Sequence, residues 1–322
     1  MHIVTASDKN YIPGVLVLIA SAARHNPAAR FTVLAVDWGN ADLDRLAILA
    51  TRLNTVIQAI PLTSETFASL DTGRKHHTTA MYARLLIPDL LPDQDRVLYM
   101  DSDMVVTGPL DRAWTVNLHG YHAAAVRCPH PYPKTLRTLG LARENYVNSG
   151  FLVMNLQSWR AEDIAATCLS ALAETPEKFP SQDEAAINYF CVGRILYLPC
   201  VYNIYATDFI HENQLCQPQD IRVLHFMMGK KPWVRESAFS PVWYHEAARI
   251  APITRLASGP PAQTFRHWLR RANQHRKIWQ ARFSIGGPRK RYLRQHVPFM
   301  TWVAEITAGS QTSGTPRSPS KS

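Results

Sequence analysis

The stretch Arg96-Val97-Leu98-Tyr99-Met100-Asp101-Ser102-Asp103-Met104-Val105-Val106 (RVLYMDSDMVV) drives two carboxylates, one residue apart, into an apolar neighbourhood. Val97 to Met100 read as a buried strand. In an extended segment residues i and i+2 share a side, which aims Asp101 and Asp103 at one point and turns Ser102 away. Paired like charges need a cation between them. Hard oxygen ligands favour magnesium or manganese, and an added imidazole favours manganese or a later metal. The plain alternative is a pair of turn aspartates capping a loop.

Outward from this stretch, short apolar runs alternate with helical patterns. Residues 2–7 (HIVTAS), 31–36 (FTVLAV), 55–62 (TVIQAIPL) and 96–100 (RVLYM) predict four strands. Residues 13–26, 41–53 and 78–91 predict the intervening helices. The alternation predicts an α/β fold with a mostly parallel central sheet and crossover helices. Ligands in such sheets bind beyond the carboxyl ends of the strands. Asp8, Asp37 and the Asp101/Asp103 pair all stand there. After position 107 the pattern becomes mixed, with strands expected at 123–127, 151–156, 195–199 and 222–226 and a helix at 161–176.

The net charge of +10 is unevenly spread. Residues 1–258 hold 23 Lys/Arg against 24 Asp/Glu, net −1, whereas residues 259–322 hold 12 against the single acid Glu305, net +11. The five cysteines (Cys128, Cys168, Cys191, Cys200, Cys216) are odd in number, widely spaced and without a CxxC, which argues against a disulfide scaffold and for a reducing cytosol. The start, MHIVTASD, has no basic n-region, so no secretory signal is expected. The longest apolar run, Ile12–Ala23, is far short of the ~20 residues that span a bilayer.

Three domain-level segments are expected: a catalytic domain over 1–250, a basic amphipathic helical segment over 259–307, and a disordered Ser/Thr/Gly/Pro-rich tail over 308–322. In TFRHWLRRANQHRKIWQARF, Phe265, Trp268, Leu269, Ala272, Trp279 and Phe283 follow helical spacing, with Arg266, Arg270, Arg271, Lys277 and Arg282 mostly on other faces. Such a helix suits an anionic membrane surface or docks its apolar stripe on the main domain. Nucleic acid is a disfavoured third partner.

An acidic DxD triplet also allows a haloacid-dehalogenase-like phosphatase, but that family carries its triplet on the first strand and here it follows the fourth. Six ordered blocks separate the readings: IVTASDKNY, TTAMYARLLIPDLLP, RVLYMDSDMVVTGPLDRAW, YVNSGFLVMNLQSWR, SQDEAAIN and VLHFMMGKKPW. Over roughly residues 1–250 they resemble glycosyltransferase family 8, the group of bacterial lipopolysaccharide galactosyl- and glucosyltransferases and glycogenin. The resemblance implies a GT-A fold, a UDP-sugar donor (UDP-galactose or UDP-glucose), a glycan or glycolipid acceptor, manganese dependence, and retention of anomeric configuration. A non-catalytic, membrane-attached sugar-nucleotide-binding protein is the rival from another class.

By the same resemblance, Asp8 binds the uracil, Asn10 lies beside the nucleoside, and the backbone of Thr5 and Ala6 flanks the base. Arg84 reaches the donor sugar or diphosphate. Asp101, Asp103 and His225 ligate manganese, with the Ser102 backbone near the ribose. Lys231, assisted by Lys230, neutralises the phosphates. Asn148 and Gly150 border the sugar, and Gln182 with Asp183 forms the sugar-side catalytic pair. His76 and His77 precede the TTAMYAR segment and are candidates for sugar or phosphate contact. Trp114 and Trp159 are expected to pack. Three departures stand out. Ser181 replaces an aspartate before Gln182, Arg127-Cys128 replace an acceptor-side aspartate, and Met228 stands where a glycine is usual, with Gly229 following. The implied location is cytoplasmic, on the inner face of the cell membrane.

Overall fold

The computed structural model describes residues 1–70, 79–206, 216–227, 231–234, 237–251 and 288–308, with the backbone alone for 288–296. His76, His77, Lys230, Met228, Gly229, the aromatic-basic stretch 264–283 and the tail beyond 308 lie outside the described residues.

In chain order the strands are β1 (His2–Asp8), β2 (Arg30–Val36), β3 (Ile57–Leu62), β4 (Arg96–Met100), β5 (Met104–Val106), β6 (Ala123–Arg127), β7 (Val147–Asn155), β8 (Ile195–Leu198), β9 (Ile204–Tyr205) and β10 (Val223–His225). Seven of them form one sheet in the order β3-β2-β1-β4-β7-β6-β8. β1, β2, β3 and β4 are mutually parallel, and β7 runs antiparallel to both β4 and β6. This is the mixed, mostly parallel α/β sheet that the alternation predicts.

Both faces of the sheet are covered, which explains the near-continuous apolar strands. Alternate residues enter opposite layers: Ile3, Leu98, Met100 and Phe151 join one core, and Val4, Val97, Tyr99 and Leu152 join the other. The helix Ile12–His25 fills the first layer with Val15, Leu16, Leu18 and Ile19. Pro13 sits in its first turn, where a missing N–H is harmless. Asn26 ends it by donating from its side chain to the Ala22 carbonyl, while its Oδ1 accepts the Leu110 N–H at 2.9 Å.

Three local differences from the sequence pattern have physical causes. Residues Thr79–Leu86 form a 3-10 turn run, followed by a short α-helix Ile87–Leu90. Pro88 has no N–H to give to the Arg84 carbonyl, which interrupts the helical bonding there, and it sits instead in the first turn of the short helix. The helix expected at 161–176 occupies Ile164–Glu174, because Asp163 before it takes a left-handed backbone (φ 49°). β7 begins at Val147 and so contains Asn148-Ser149-Gly150, a polar triplet without strand character of its own.

The helix Pro288–Ala308 buries Phe299, Trp302 and Val303 in the same core layer as Val242, Trp243 and Ile250. This part of the basic segment is docked on the main domain. No helix among the described residues is long and apolar enough to cross a membrane.

Candidate active site

Asp8 ends β1 and Asp101 directly follows β4, so both lie at the carboxyl edge of parallel strands. The backbone then turns: the Met104 N–H donates to the Asp101 carbonyl at 3.2 Å. Convergence of Asp101 and Asp103 therefore comes from a β-turn, not from the extended geometry the sequence suggests, and Ser102 is its buried corner. The turn delivers the chain into β5, which pairs antiparallel with β10 and sets Met104 opposite His225. The Phe226 N–H closes on the Asp103 carbonyl at 2.9 Å. A short second sheet thus brings a histidine more than a hundred residues away to the acidic pair.

Asp101, Asp103 and His225 each offer a ligand atom within 4.8 Å of the others, and they are the one such cluster found among the described residues. His225 Nε2 lies 3.1 Å from Asp103 Oδ1 and 3.6 Å from Asp101 Oδ2. Asp103 Oδ1 is buried yet accepts no hydrogen bond. A buried carboxylate oxygen without a donor, facing an imidazole nitrogen, is the chemistry a divalent cation satisfies. Lys231 Nζ pairs with the other oxygen, Asp103 Oδ2, and donates to the Phe226 carbonyl at 2.9 Å. Burial alone would raise the Asp103 carboxyl, but Lys231 and His225 hold it well below the usual range.

Arg84 occupies the floor, 6% exposed. Its guanidinium pairs with Asp101 at 3.0 Å and Asp183 at 2.8 Å, donates to Ser149 O at 2.7 Å, and lies over the Tyr99 ring. The Tyr99 hydroxyl donates to Asp101 Oδ1 at 2.9 Å. Four carboxylates (Asp101, Asp103, Asp183, Glu184) thus face two cations (Arg84, Lys231), two positive charges short of neutrality. The deficit shows at Asp183. Burial pushes its carboxyl up to about 7, the Asp101 and Glu184 charges add to that, and Arg84 opposes it.

Gly150 is required by packing. A Cβ there would stand 2.6 Å from both Asp101 Oδ2 and His225 Cε1. Gly14 has the same character, with a virtual Cβ 2.3 Å from the Ser102 carbonyl. The helix Ile12–His25 can pack beneath the acidic turn because residue 14 has no side chain. Gln182 has a left-handed backbone (φ 47°). The other non-glycine positive φ values among the described residues belong to Asp37, Asn54 and Asp163, types that tolerate it. For a glutamine the conformation costs about 1–3 kcal/mol, and here it starts the helix Gln182–Phe190 that carries Asp183.

Thr5 and Ala6 are buried in β1. Asn10 is exposed, and its N–H is capped by Asp8 Oδ1 at 2.8 Å. The Lys231 ammonium stands 5.4 Å from the Tyr11 ring centroid, and Tyr11 meets Trp233 edge-on. Asn148 approaches the metal cluster through Gly150 and Asn203. Ser181 Oγ shares a 3.0 Å hydrogen bond with Thr135 Oγ1, and Cys128 Sγ faces the Tyr205 hydroxyl at 3.5 Å. Trp159 packs fully, its Nε1 donating to the His122 carbonyl, and Trp114 is half-buried beside Arg96. The pattern of the sequence did not single out Tyr99, Glu184 or Asn203. A polar residue inside an apolar run was the only trace of Asn203.

A metal-type triad, two of its members buried, stands on the carboxyl edge of a mixed α/β sheet, and the comparisons supply the class of enzyme that carries it. The family model described as Glycosyl transferase family 8 matches residues 2–237, and the chain belongs to that family. It is 28% identical over 283 residues to the lipopolysaccharide 1,3-galactosyltransferase of Salmonella typhimurium, covering 83% of each chain. It is 26% identical over 247 residues to the lipopolysaccharide glucosyltransferase WaaO of Escherichia coli, covering 72% of each. Similarity to the glycosyltransferase GlyF of Streptococcus pneumoniae is 28% over 235 residues and spans only 56% of that longer protein. Among solved structures, an active-site mutant of LgtC superimposes with a TM-score of 0.67 at 25% identity, covering 77% of this chain and 96% of that one. The fold is GT-A, the fold of these sugar-transferring enzymes.

Substituting Gly150→Ala is expected to push Asp101 and His225 apart and to weaken divalent-metal binding at least tenfold while the protein still folds. Calorimetric titration with manganese checks this, and wild-type affinity would show that the three side chains do not share an ion.

Proposed function

We propose that the protein moves a hexose from a UDP-sugar, UDP-galactose or UDP-glucose, to a glycan or glycolipid acceptor with retention of configuration, using manganese. The carrying observation is the convergence of Asp101, Asp103 and His225 beside Lys231 at the carboxyl edge of the sheet. Names of the similar proteins, a galactosyltransferase and a glucosyltransferase acting on lipopolysaccharide, support the donor and acceptor classes.

Asp101, Asp103 and His225 would hold the ion, which when bound supplies Lewis-acid charge to a departing diphosphate. Lys231 adds a fixed ammonium on the same side. Burial would lower its pKa, but Asp103 more than offsets this and keeps it protonated. Asp8, at the end of β1, is the acceptor for the uracil N–H, with Asn10 beside the nucleoside and the Thr5 and Ala6 backbone along the base. The Ser102 backbone lies toward the ribose, and Asn148 and Gly150 border the sugar. Arg84 has its guanidinium engaged by Asp101, Asp183 and Ser149, so its role is to hold the two aspartates rather than to grip the donor. Gln182 presents a neutral amide to the anomeric carbon and Asp183 orients the sugar. No nucleophile stands out in this set, which favours attack by the acceptor hydroxyl on the face that the diphosphate leaves. Ser181 and Cys128 set sugar and acceptor preference.

UDP release from a panel of UDP-sugars with manganese tests the donor and the metal together. Asp103→Asn should lower it by about 100-fold or more, the scale of a lost transition-state stabiliser, and should abolish metal-dependent UDP binding. Full turnover with metal chelated would overturn the reading, and tight UDP binding without turnover of any donor would indicate a non-catalytic protein.

The charge excess of 259–322 supports attachment to an anionic membrane on the cytoplasmic side. Deleting the whole segment would also strip Phe299, Trp302 and Val303 from the core. Replacing Arg266, Arg270, Arg271 and Lys277 by Gln tests the attachment without that damage. Each basic residue near an anionic surface is worth about 1 kcal/mol. Binding to phosphatidylglycerol vesicles should fall more than tenfold with unchanged melting temperature, and unaltered vesicle binding would remove the membrane from the account.

A further inference from the structure

Behind the metal-type cluster runs a chain of buried and half-buried side-chain hydrogen bonds that the proposed reaction does not use directly. His225 Nδ1 lies 2.9 Å from Asn203 Oδ1. Asn203 Nδ2 donates to Asn148 Oδ1 at 2.7 Å. Asn148 Nδ2 donates to Glu184 Oε2 at 2.7 Å. Glu184 ends the chain, accepting also from the Ser149 N–H at 3.2 Å and the Tyr146 hydroxyl at 3.1 Å. His225, Asn203, Asn148 and Glu184 come from β10, the segment before β9, β7 and the helix Gln182–Phe190, so four elements meet in one line.

The donor and acceptor sense of this line is determined from one end. Backbone N–H groups can only donate. The Ser149 N–H marks Glu184 Oε2 as an acceptor, and the Gly150 N–H, 3.2 Å from Asn148 Oδ1, marks that oxygen as an acceptor too. Asn148 must therefore turn its amide nitrogen to Glu184 and its oxygen to Asn203. Asn203 must then give its amide nitrogen to Asn148, which leaves its oxygen toward His225. An oxygen facing Nδ1 requires the proton to sit on Nδ1. Nε2 is thereby the nitrogen left for a cation shared with Asp101 and Asp103. An imidazole ligates through the nitrogen without a proton, and the partner of its other nitrogen sets which one that is.

We propose that Asn203 is a positioning residue that fixes the tautomer and bearing of His225, and that Glu184, through Asn148, fixes the orientation of Asn203. The proposal rests on His225 being a metal ligand, as proposed above, and refines how it becomes one. The same chain explains why a carboxylate is tolerated at position 184, half-buried in the protein: three donors converge on it. It also gives Asn148 a role in orienting the ligand set besides bordering the sugar.

The direct test needs no variant. In wild-type protein with nitrogen-15-labelled histidine, the His225 ring, assigned by its loss in His225→Gln, should carry a proton on Nδ1. A neutral ring with its single proton on Nε2 would overturn the proposal. In Asn203→Leu, similar in volume but without the amide, His225 should populate both tautomers, and manganese affinity measured by titration should fall by about 10–100-fold. An unchanged tautomer in Asn203→Leu would equally overturn it. A shifted tautomer with unchanged manganese affinity would uphold the relay and reject His225 as a ligand, so the two readings fail separately.

Discussion

The site depends on one buried cation, the Arg84 guanidinium. It is shared by Asp101 and Asp183, anchored to Ser149 O, and laid on the Tyr99 ring. Removing one partner from a buried ion pair leaves an uncompensated charge, typically a loss of 3–5 kcal/mol. Arg84 therefore ties together four stretches of chain: the 3-10 run, the end of β4, β7, and the helix starting at Gln182. It also explains why Asp101 is held in place while still presenting its other oxygen toward His225.

Arg84 does not settle the charge balance. Lys231 covers Asp103 from the other side, and Asp183 is still pushed toward neutral pH, chiefly by burial and further by the Asp101 and Glu184 charges. The unbonded Asp103 Oδ1 marks where further positive charge is wanted. The fold supplies everything around that point without side-chain bulk. Gly150 lets β7 pass under the acidic turn, and Gly14 lets a core helix press against Ser102. Rigidity comes from backbone pairing: β4 against β7 on one side and β5 against β10 on the other.

Much of this was legible in the chain. β1 to β4, β6, β8 and β10 announce themselves as apolar runs, and the ordered blocks around Asp101, Asp103, His225 and Lys231 carry the resemblance to the family. What was not legible depends on tertiary pairing. β5 and β9 are three and two residues long and exist as strands only through β10. Asn148-Ser149-Gly150 belongs to β7 because its polar groups find partners in Glu184, Asn203 and Arg84, which no local pattern encodes. Asn203 and Glu184 act across 22 to 55 residues of sequence and 35 to 36 residues of sequence, respectively. The position of Arg84 in the sequence does not reveal that its guanidinium is engaged by Asp101, Asp183 and Ser149. The turn at Ser102 shows the same limit, since the two carboxylates converge by a hydrogen-bonded corner that spacing alone does not reveal.

The central claim is that Asp101, Asp103 and His225 hold one divalent ion against the diphosphate of a sugar nucleotide. A crystal grown with manganese and UDP, with diffraction recorded at the manganese absorption edge, tests it most directly. The account predicts a single anomalous peak bounded by these three side chains and the diphosphate, with Lys231 on the phosphate side. A peak elsewhere, or none at saturating manganese with UDP bound, would contradict it.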